Sequence, residues 1–348
     1  MVRRDSPVSF ETAGAAGSVP KKLQEAPTRH NEVDGGYTPR DLGFRSPLLY
    51  AVVTVISLAA IVYSALWDTS ISSDISARDV AIFAPPMVLF MIPHGAVDVM
   101  AASDIYGFAS WRDRLRFYGI YIVVMVLYGL LWQVLPLLSL LIFYVMSTYH
   151  AGQTDLEYLA LPPKAKSLRI LSRGLMLIAL PLIAMPEYNH PLLIEMVGYD
   201  PMLPMFDWLS REAWIALVAG QHLLLMVSDG LAHRVRWREV LKSVILTLLL
   251  VLTRPHVGFL AVYLGLWHSL GHILEILAFF RQRGKPMGVL DFYAKVAPGT
   301  ILTFLGLAGV YVVFKPKVLS LIPLFISTLS IPHCVICNYI YRSGTKGL

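Results

Sequence analysis

The sequence is dominated by apolar runs that are long enough to cross a membrane as helices. Hydrophobic residues make up 56% of its 348 residues and charged residues only 15%, whereas soluble domains average about 25% charged. A membrane-spanning helix needs about 20 mostly apolar residues. Segments of this kind occupy 47–66, 80–101, 117–134, 136–151, 168–186, 213–231, 240–254, 256–280, 298–314 and 318–340. We therefore predict an all-α, polytopic membrane helix bundle of about 8–10 transmembrane helices.

The placement of basic residues orients this bundle. Ten spans with both termini in the cytoplasm put nearly every Lys/Arg cluster on the cytoplasmic side, including those within 112–116, 164–169 and 234–242. This arrangement agrees with the positive-inside rule. We expect an integral protein of the inner or plasma membrane, in contact with the lipid bilayer. The net charge of +6 gives no reason to expect a nucleic-acid partner.

The N-terminal residues differ from the rest of the chain. Residues 1–45 are polar and contain no apolar run. Segments that cannot bury enough apolar surface remain unfolded. We predict a disordered cytoplasmic tail at 1–45 and a single membrane-embedded helical domain at 46–342.

Histidines inside the predicted spans are the strongest functional signal. His268 and His272 in "WHSLGH" are four residues apart and share one face of a helix. His94 and His150 lie at a similar predicted depth on other helices, given a rise of about 1.5 Å per residue. Ionisable side chains are costly in a bilayer and are by default assigned to function. We predict that these four imidazoles surround one buried metal ion.

Further polar residues are candidates for support of these histidines. Asp98 follows His94 by four residues, so it could accept the second ring N–H of a ligating histidine or bind the metal itself. Asp155 could act in the same way beside His150. We place Glu275 and His333 in the same supporting shell, and a packed core histidine is the alternative for His333.

The two cysteines give a weaker signal. Cys334 and Cys337 form a single CxxC pair, and a four-cysteine zinc site would need a second pair. We expect them to be packing thiols, since free cysteine behaves as a small hydrophobe.

The residues alone leave the metal open. An imidazole set suits zinc, copper or iron. The HxxxH pair lacks the glutamate of a zinc hydrolase, and the chain has too few such pairs for a two-iron site. Two facing helices could also hold a haem between two histidines. The pattern therefore indicates one metal, about four histidines and access from the membrane.

Four motifs, in their order along the chain, resemble those of the Brp/Blh family of bacterial and archaeal β-carotene 15,15′-dioxygenases. They are "PHGAVD" (93–98), "YHAGQTD" (149–155), "WHSLGH" (267–272) and "IPH" (331–333). The resemblance covers about residues 85–340. Each motif is short, but their combination and order are fairly specific.

This resemblance implies a membrane-embedded, non-haem Fe²⁺ enzyme. Such an enzyme uses O₂ to cleave the central double bond of β-carotene into two retinal molecules, which a rhodopsin can receive as its chromophore. The implied iron ligands are His94, His150, His268 and His272. A tunnel for the polyene is also expected, with these candidate lining residues: Tyr128, Trp132, Tyr144, Tyr149, Tyr263, Trp267 and His222.

Two alternatives stay open from the sequence. One is an oxygenase of the same family that acts on another carotenoid or at another bond. The other is a membrane protein without enzymatic activity, such as a haem- or carotenoid-binding subunit or a transporter.

Overall fold

The structure is a computed structural model that describes residues 47–67, 77–159, 161–282, 284–314 and 318–343. The described residues form one compact unit. The tail predicted at 1–45 lies outside the described residues.

The described part of the chain is helical and contains no β-strand. Two of its segments are wound as π-helices, which we label π1 and π2. The elements in chain order are α1 (Pro47–Trp67), α2 (Ala77–Pro86), π1 (Met87–Met91), α3 (Ile92–Gly95), α4 (Asp98–Ile105), α5 (Trp111–Val134), α6 (Pro136–Leu156), α7 (Pro163–Ala184), α8 (Pro186–Val197), α9 (Met205–Trp208), α10 (Arg211–Leu231), α11 (Trp237–Leu252), π2 (His256–Leu270), α12 (Gly271–Gln282), α13 (Val289–Phe314) and α14 (Val318–Ser343).

Seven helical segments in the described part are long and apolar enough to cross a membrane. They correspond to seven of the ten predicted spans, and the predicted class of helical membrane bundle is confirmed. The remaining three, at α6, α11 and α14, are helical as expected but are not among the seven. Helix α11 has only 16 residues, fewer than the roughly 20 that a span needs.

The centre of the bundle is built around α7. This helix packs against α6, α10 and α11. Its contact with α6 is close because two glycines face the opposite backbone. A Cβ at Gly152 would lie 1.9 Å from the carbonyl oxygen of Ile170, and one at Gly174 would lie 1.7 Å from that of Thr148. Small residues allow this approach between membrane helices, and it fixes the part of α6 that carries His150.

The predicted span 80–101 is not one continuous α-helix. It is divided into α2, π1, α3 and α4, with Pro85 and Pro86 at the end of α2. Proline removes a backbone donor and disturbs the helical hydrogen-bond ladder. Helix α2 packs closely on π2, since a Cβ at Gly265 would lie 2.4 Å from that of Pro86. This contact places the segment that leads to His94 beside the segment that leads to His268.

Candidate metal centre

Five buried histidines from distant parts of the chain meet in the interior. They are carried by α3, α6, π2, α12 and α14, and each is at most 8% exposed. Four are the predicted ligands, and the fifth is His333. The set is His94, His150, His268, His272 and His333.

Four of these rings form a closed circuit of nearly equal sides. The ring centroids of His94 and His268 are 5.3 Å apart, and those of His268 and His150 are also 5.3 Å apart. The circuit closes through His333, which is 5.2 Å from His150 and 5.2 Å from His94. His272 lies farther out, at 5.9 to 6.5 Å from the other four rings.

These separations fit imidazoles that share one ion. An ion about 2.1 Å from a ring nitrogen lies about 3.25 Å from the ring centroid, so two rings on one ion have centroids no more than about 6.5 Å apart. The separations above, from 5.2 to 6.5 Å, satisfy this limit.

Unpartnered nitrogens point to the same conclusion. Both ring nitrogens of His150 and Nδ1 of His268 are buried and have no hydrogen-bond partner among the described residues. Leaving a buried polar atom without a partner costs about 1–3 kcal/mol. A metal ion would satisfy such nitrogens, so the donor set suits a transition metal.

The supporting hydrogen bonds differ from one histidine to the next. His94 Nδ1 bonds to the carbonyl oxygen of Met91. His272 Nδ1 lies 3.2 Å from the hydroxyl of Tyr341, which donates to Glu275 at 2.9 Å. The carboxylate of Glu275 is therefore near His272, at 3.7 Å from Nδ1.

The carboxylate of Asp98 contacts His333 rather than His94. His333 Nδ1 lies 2.8 Å from Asp98 Oδ1, and the hydroxyl of Tyr121 donates to Asp98 Oδ2 at 2.9 Å. The sequence offers no signal for Tyr121, because its contact with Asp98 depends on how α4 and α5 pack.

The carboxylate of Asp155 pairs with two basic side chains and not with His150. Arg173 Nε donates to Asp155 Oδ2 at 2.8 Å, and Lys242 Nζ lies 3.4 Å from the same oxygen. His150, five residues earlier, makes no hydrogen bond to this carboxylate, and both of its ring nitrogens are unpartnered among the described residues. Asp155 therefore belongs to a buried ion-pair network beside the histidines.

One thiol lies against the histidine cluster. Cys337 Sγ is 3.4 Å from His333 Nε2 and 3.5 Å from His272 Nε2. Donor atoms of His150, His333 and Cys337 lie within 4.8 Å of one another. The sequence prediction gave Cys337 a packing role only. Its spacing of four residues from His333 was the signal, since residues four apart share a helix face.

The seven proposed tunnel residues lie in different surroundings. Tyr128 and Trp132 are in one buried apolar cluster, with Tyr144 packed against it, whereas Tyr263 and Trp267 are in the core beside the histidines. Tyr149 is 36% exposed. His222 contacts Ser172 at 3.0 Å and Arg173 at 3.2 Å. Of the seven, Tyr263 has its ring centroid 6.1 Å from that of His268.

A small cavity of about 30 Å³ adjoins the cluster. His268 and His272 line one part of it, and Trp267 and Gly271 are also in its wall. The charged residues that line it are Asp155, Arg238, Glu239, Lys242 and Glu275. The histidine cluster is thus bordered by charged side chains as well as by apolar core.

The fold and this centre define a class: helical membrane proteins with a buried imidazole site suited to a transition metal. A sequence profile described as beta-carotene 15,15′-dioxygenase matches residues 86–341. The chain belongs to the β-carotene 15,15′-dioxygenase family. The predicted family and the predicted enzyme class, a carotenoid-cleaving dioxygenase, are both confirmed.

Individual relatives agree with this assignment. The chain is 23% identical over 328 residues to the "Probable beta-carotene 15,15′-dioxygenase Blh" of Halobacterium salinarum, covering 84% of this chain and 91% of that protein. It is 34% identical over 122 residues to a "Beta-carotene 15,15′-dioxygenase" from the uncultured marine bacterium 66A03, covering 34% and 43%. No solved structure matches the chain significantly.

Proposed function

We propose that the protein is an Fe²⁺-dependent dioxygenase that cleaves the central double bond of β-carotene and yields two retinal molecules. In this reaction one O₂ supplies one oxygen atom to each of the two aldehydes. The single observation that carries the proposal is the cluster of five buried histidines. Its support is the family to which the chain belongs and the unpartnered nitrogens of His150.

The residues that would hold the iron are His94, His150, His268 and His272. Bound there, the iron would supply the activation of O₂. Imidazoles alone leave part of a six-coordinate shell open. Hydrogen bonds would hold two of these rings in fixed orientations. The partner of His94 is the carbonyl oxygen of Met91, and the partner of His272 is the hydroxyl of Tyr341.

The protein would also keep the reacting bond apart from bulk water. Tyr263 and Trp267 are at most 2% exposed and belong to the apolar core next to His268. A polyene is apolar along its whole length and dissolves in the bilayer, so lateral access between helices is expected. We propose that these two aromatic side chains help position the central bond.

The products and the orientation complete the proposal. Retinal is apolar enough to remain in the bilayer, where a rhodopsin could receive it. Both termini are proposed to face the cytoplasm, because this arrangement places nearly every basic cluster there. A reporter enzyme that works only in the periplasm should be inactive when it is fused to the C-terminus. Activity of that fusion would contradict this orientation.

Product analysis in a β-carotene-producing bacterial host tests the function. The wild-type protein should convert β-carotene to retinal, and His150→Ala should not. Two apocarotenals of unequal length would instead indicate cleavage at another bond, and loss of a different carotenoid would indicate another substrate. A haem absorption band in the purified protein would favour the haem-binding alternative, although family membership already favours an enzyme.

A further inference from the structure

We propose that His333 is a fifth imidazole ligand of this metal centre, held in position by Asp98 and Tyr121. The inference rests on the proposed metal site and extends its ligand set. The sequence placed His333 in a supporting shell only.

The position of His333 is the first argument. Its ring centroid is 5.2 Å from those of both His94 and His150. Those separations are shorter than any that involve His272, which begin at 5.9 Å. His333 therefore lies at least as well within the cluster as a residue of the predicted ligand set.

The orientation of the ring is the second argument. Nδ1 of His333 is 2.8 Å from Asp98 Oδ1, and the carboxylate accepts, so Nδ1 carries a proton. Nε2 is then the nitrogen with the free lone pair. Metal-ligating histidines regularly donate their other ring N–H to a carboxylate in this way. Tyr121 donates to the second oxygen of Asp98 at 2.9 Å, which fixes the carboxylate in turn.

The neighbours of Nε2 are the third argument. Nε2 lies 3.4 Å from Cys337 Sγ, and donor atoms of His333, Cys337 and His150 lie within 4.8 Å of one another. Ligands of one ion at about 2.1 Å for nitrogen and 2.3 Å for sulfur are separated by roughly 3–4.5 Å. A thiol is only a weak hydrogen-bond donor, so the contact with Cys337 leaves Nε2 without a strong partner, although the His333 side chain is only 9% exposed.

Cobalt(II) is a suitable probe, because its visible absorption reports ligand number and does not require turnover. Metal-free protein in detergent is titrated with Co²⁺ without oxygen. The wild type should bind one ion. The His333→Ala variant should bind Co²⁺ at least tenfold more weakly, and its absorption spectrum should differ from that of the wild type. Added imidazole should restore the wild-type spectrum. Asp98→Asn keeps the ring, so it should weaken binding 10–100-fold without changing the spectrum.

The control is a second histidine–carboxylate pair outside the cluster. His190 Nδ1 lies 2.7 Å from Asp200 Oδ2, and the His190 side chain is 41% exposed. His190→Gln should leave affinity and spectrum unchanged.

If wild type binds one Co²⁺ and both His333→Ala and Asp98→Asn match it in affinity and spectrum, His333 is not a ligand and only this inference fails. If wild type binds no metal, the proposed function fails as well. Should His333→Ala not fold, Asp98→Asn decides alone, since unchanged affinity there contradicts the inference.

Discussion

His333 and Asp98 are joined by a 2.8 Å contact although 235 positions separate them in the chain. The contact connects α14, near the end of the protein, to α4, which directly follows the helix that carries His94. Both side chains are buried, at 9% and 3% exposure. A buried polar contact therefore holds α14 against the histidine cluster. Apolar packing between helices would not need such a contact.

The strongest effect of a single substitution is expected at His150. Both of its ring nitrogens lack partners among the described residues, so an alanine removes a donor without breaking a hydrogen bond of the metal-free protein. Loss of a supporting residue costs 10–100-fold in metal affinity or activity, and loss of a ligand should exceed about 100-fold. Retinal formation and bound iron, measured on the same preparation, should fall together. His190→Gln is the matched control, and a variant that loses activity but keeps full iron would contradict the role.

The contact between α6 and α7 should be intolerant of a single methyl group. At Gly152 a Cβ would overlap the carbonyl oxygen of Ile170 at 1.9 Å, whereas at Gly220 it would meet nothing within 4 Å. Overpacking typically costs about 1–3 kcal/mol, so Gly152→Ala should lower the thermal unfolding midpoint in detergent. Gly220→Ala should not lower it, because alanine is favoured over glycine in a helix. Equal midpoints for the two variants would show that the helices can move apart at little cost.

Helix positions and the histidine set followed well from the sequence. Apolar runs located ten helical segments, and the residues expected to converge, such as His94 and His268, do lie together. This worked because burial in a bilayer makes every ionisable residue expensive, and few were available.

The contacts that the sequence did not predict depend on packing between distant segments. The pairing of Asp155 with Arg173 and Lys242 could not be read from the proximity of Asp155 to His150 in the chain. The contact of Cys337 with the cluster depends on where α14 docks, although His333 on the same helix was expected to support the site. The winding of His256–Leu270 as a π-helix changes which residues share a face, and spacing rules for an α-helix do not include it.

Asp155 should matter for stability more than for metal binding. It is paired with Arg173 at 2.8 Å, and the two side chains are 2% and 1% exposed. Removing one partner of a buried pair typically costs about 3–5 kcal/mol, because the other charge is left uncompensated. Asp155→Ala should therefore unfold at a much lower temperature, while the fraction that stays folded binds metal normally. A folded variant with unchanged stability and weakened metal binding would return Asp155 to the supporting role considered from the sequence.

The two carboxylates behind the histidines should differ in importance. Asp98 is 3% exposed and contacts His333 directly, whereas Glu275 is 20% exposed and lies 3.7 Å from His272 Nδ1. Water can substitute more readily for the more exposed group. Asp98→Asn should weaken metal binding by 10–100-fold, and Glu275→Gln should have a smaller effect. Competition titration with a chelator measures both, and the reverse order would mean that His272 is the more strongly supported ring.

The central claim is that a metal held by buried histidines cleaves β-carotene at its central bond. Its most direct test uses purified protein in detergent, loaded with increasing amounts of iron. It measures the rate of reaction and the number of retinal molecules formed per β-carotene consumed. The account predicts two retinal molecules per β-carotene consumed, at a rate proportional to bound iron up to one per chain. Retinal formation that is independent of bound iron, or apocarotenals of unequal length in place of retinal, would contradict it.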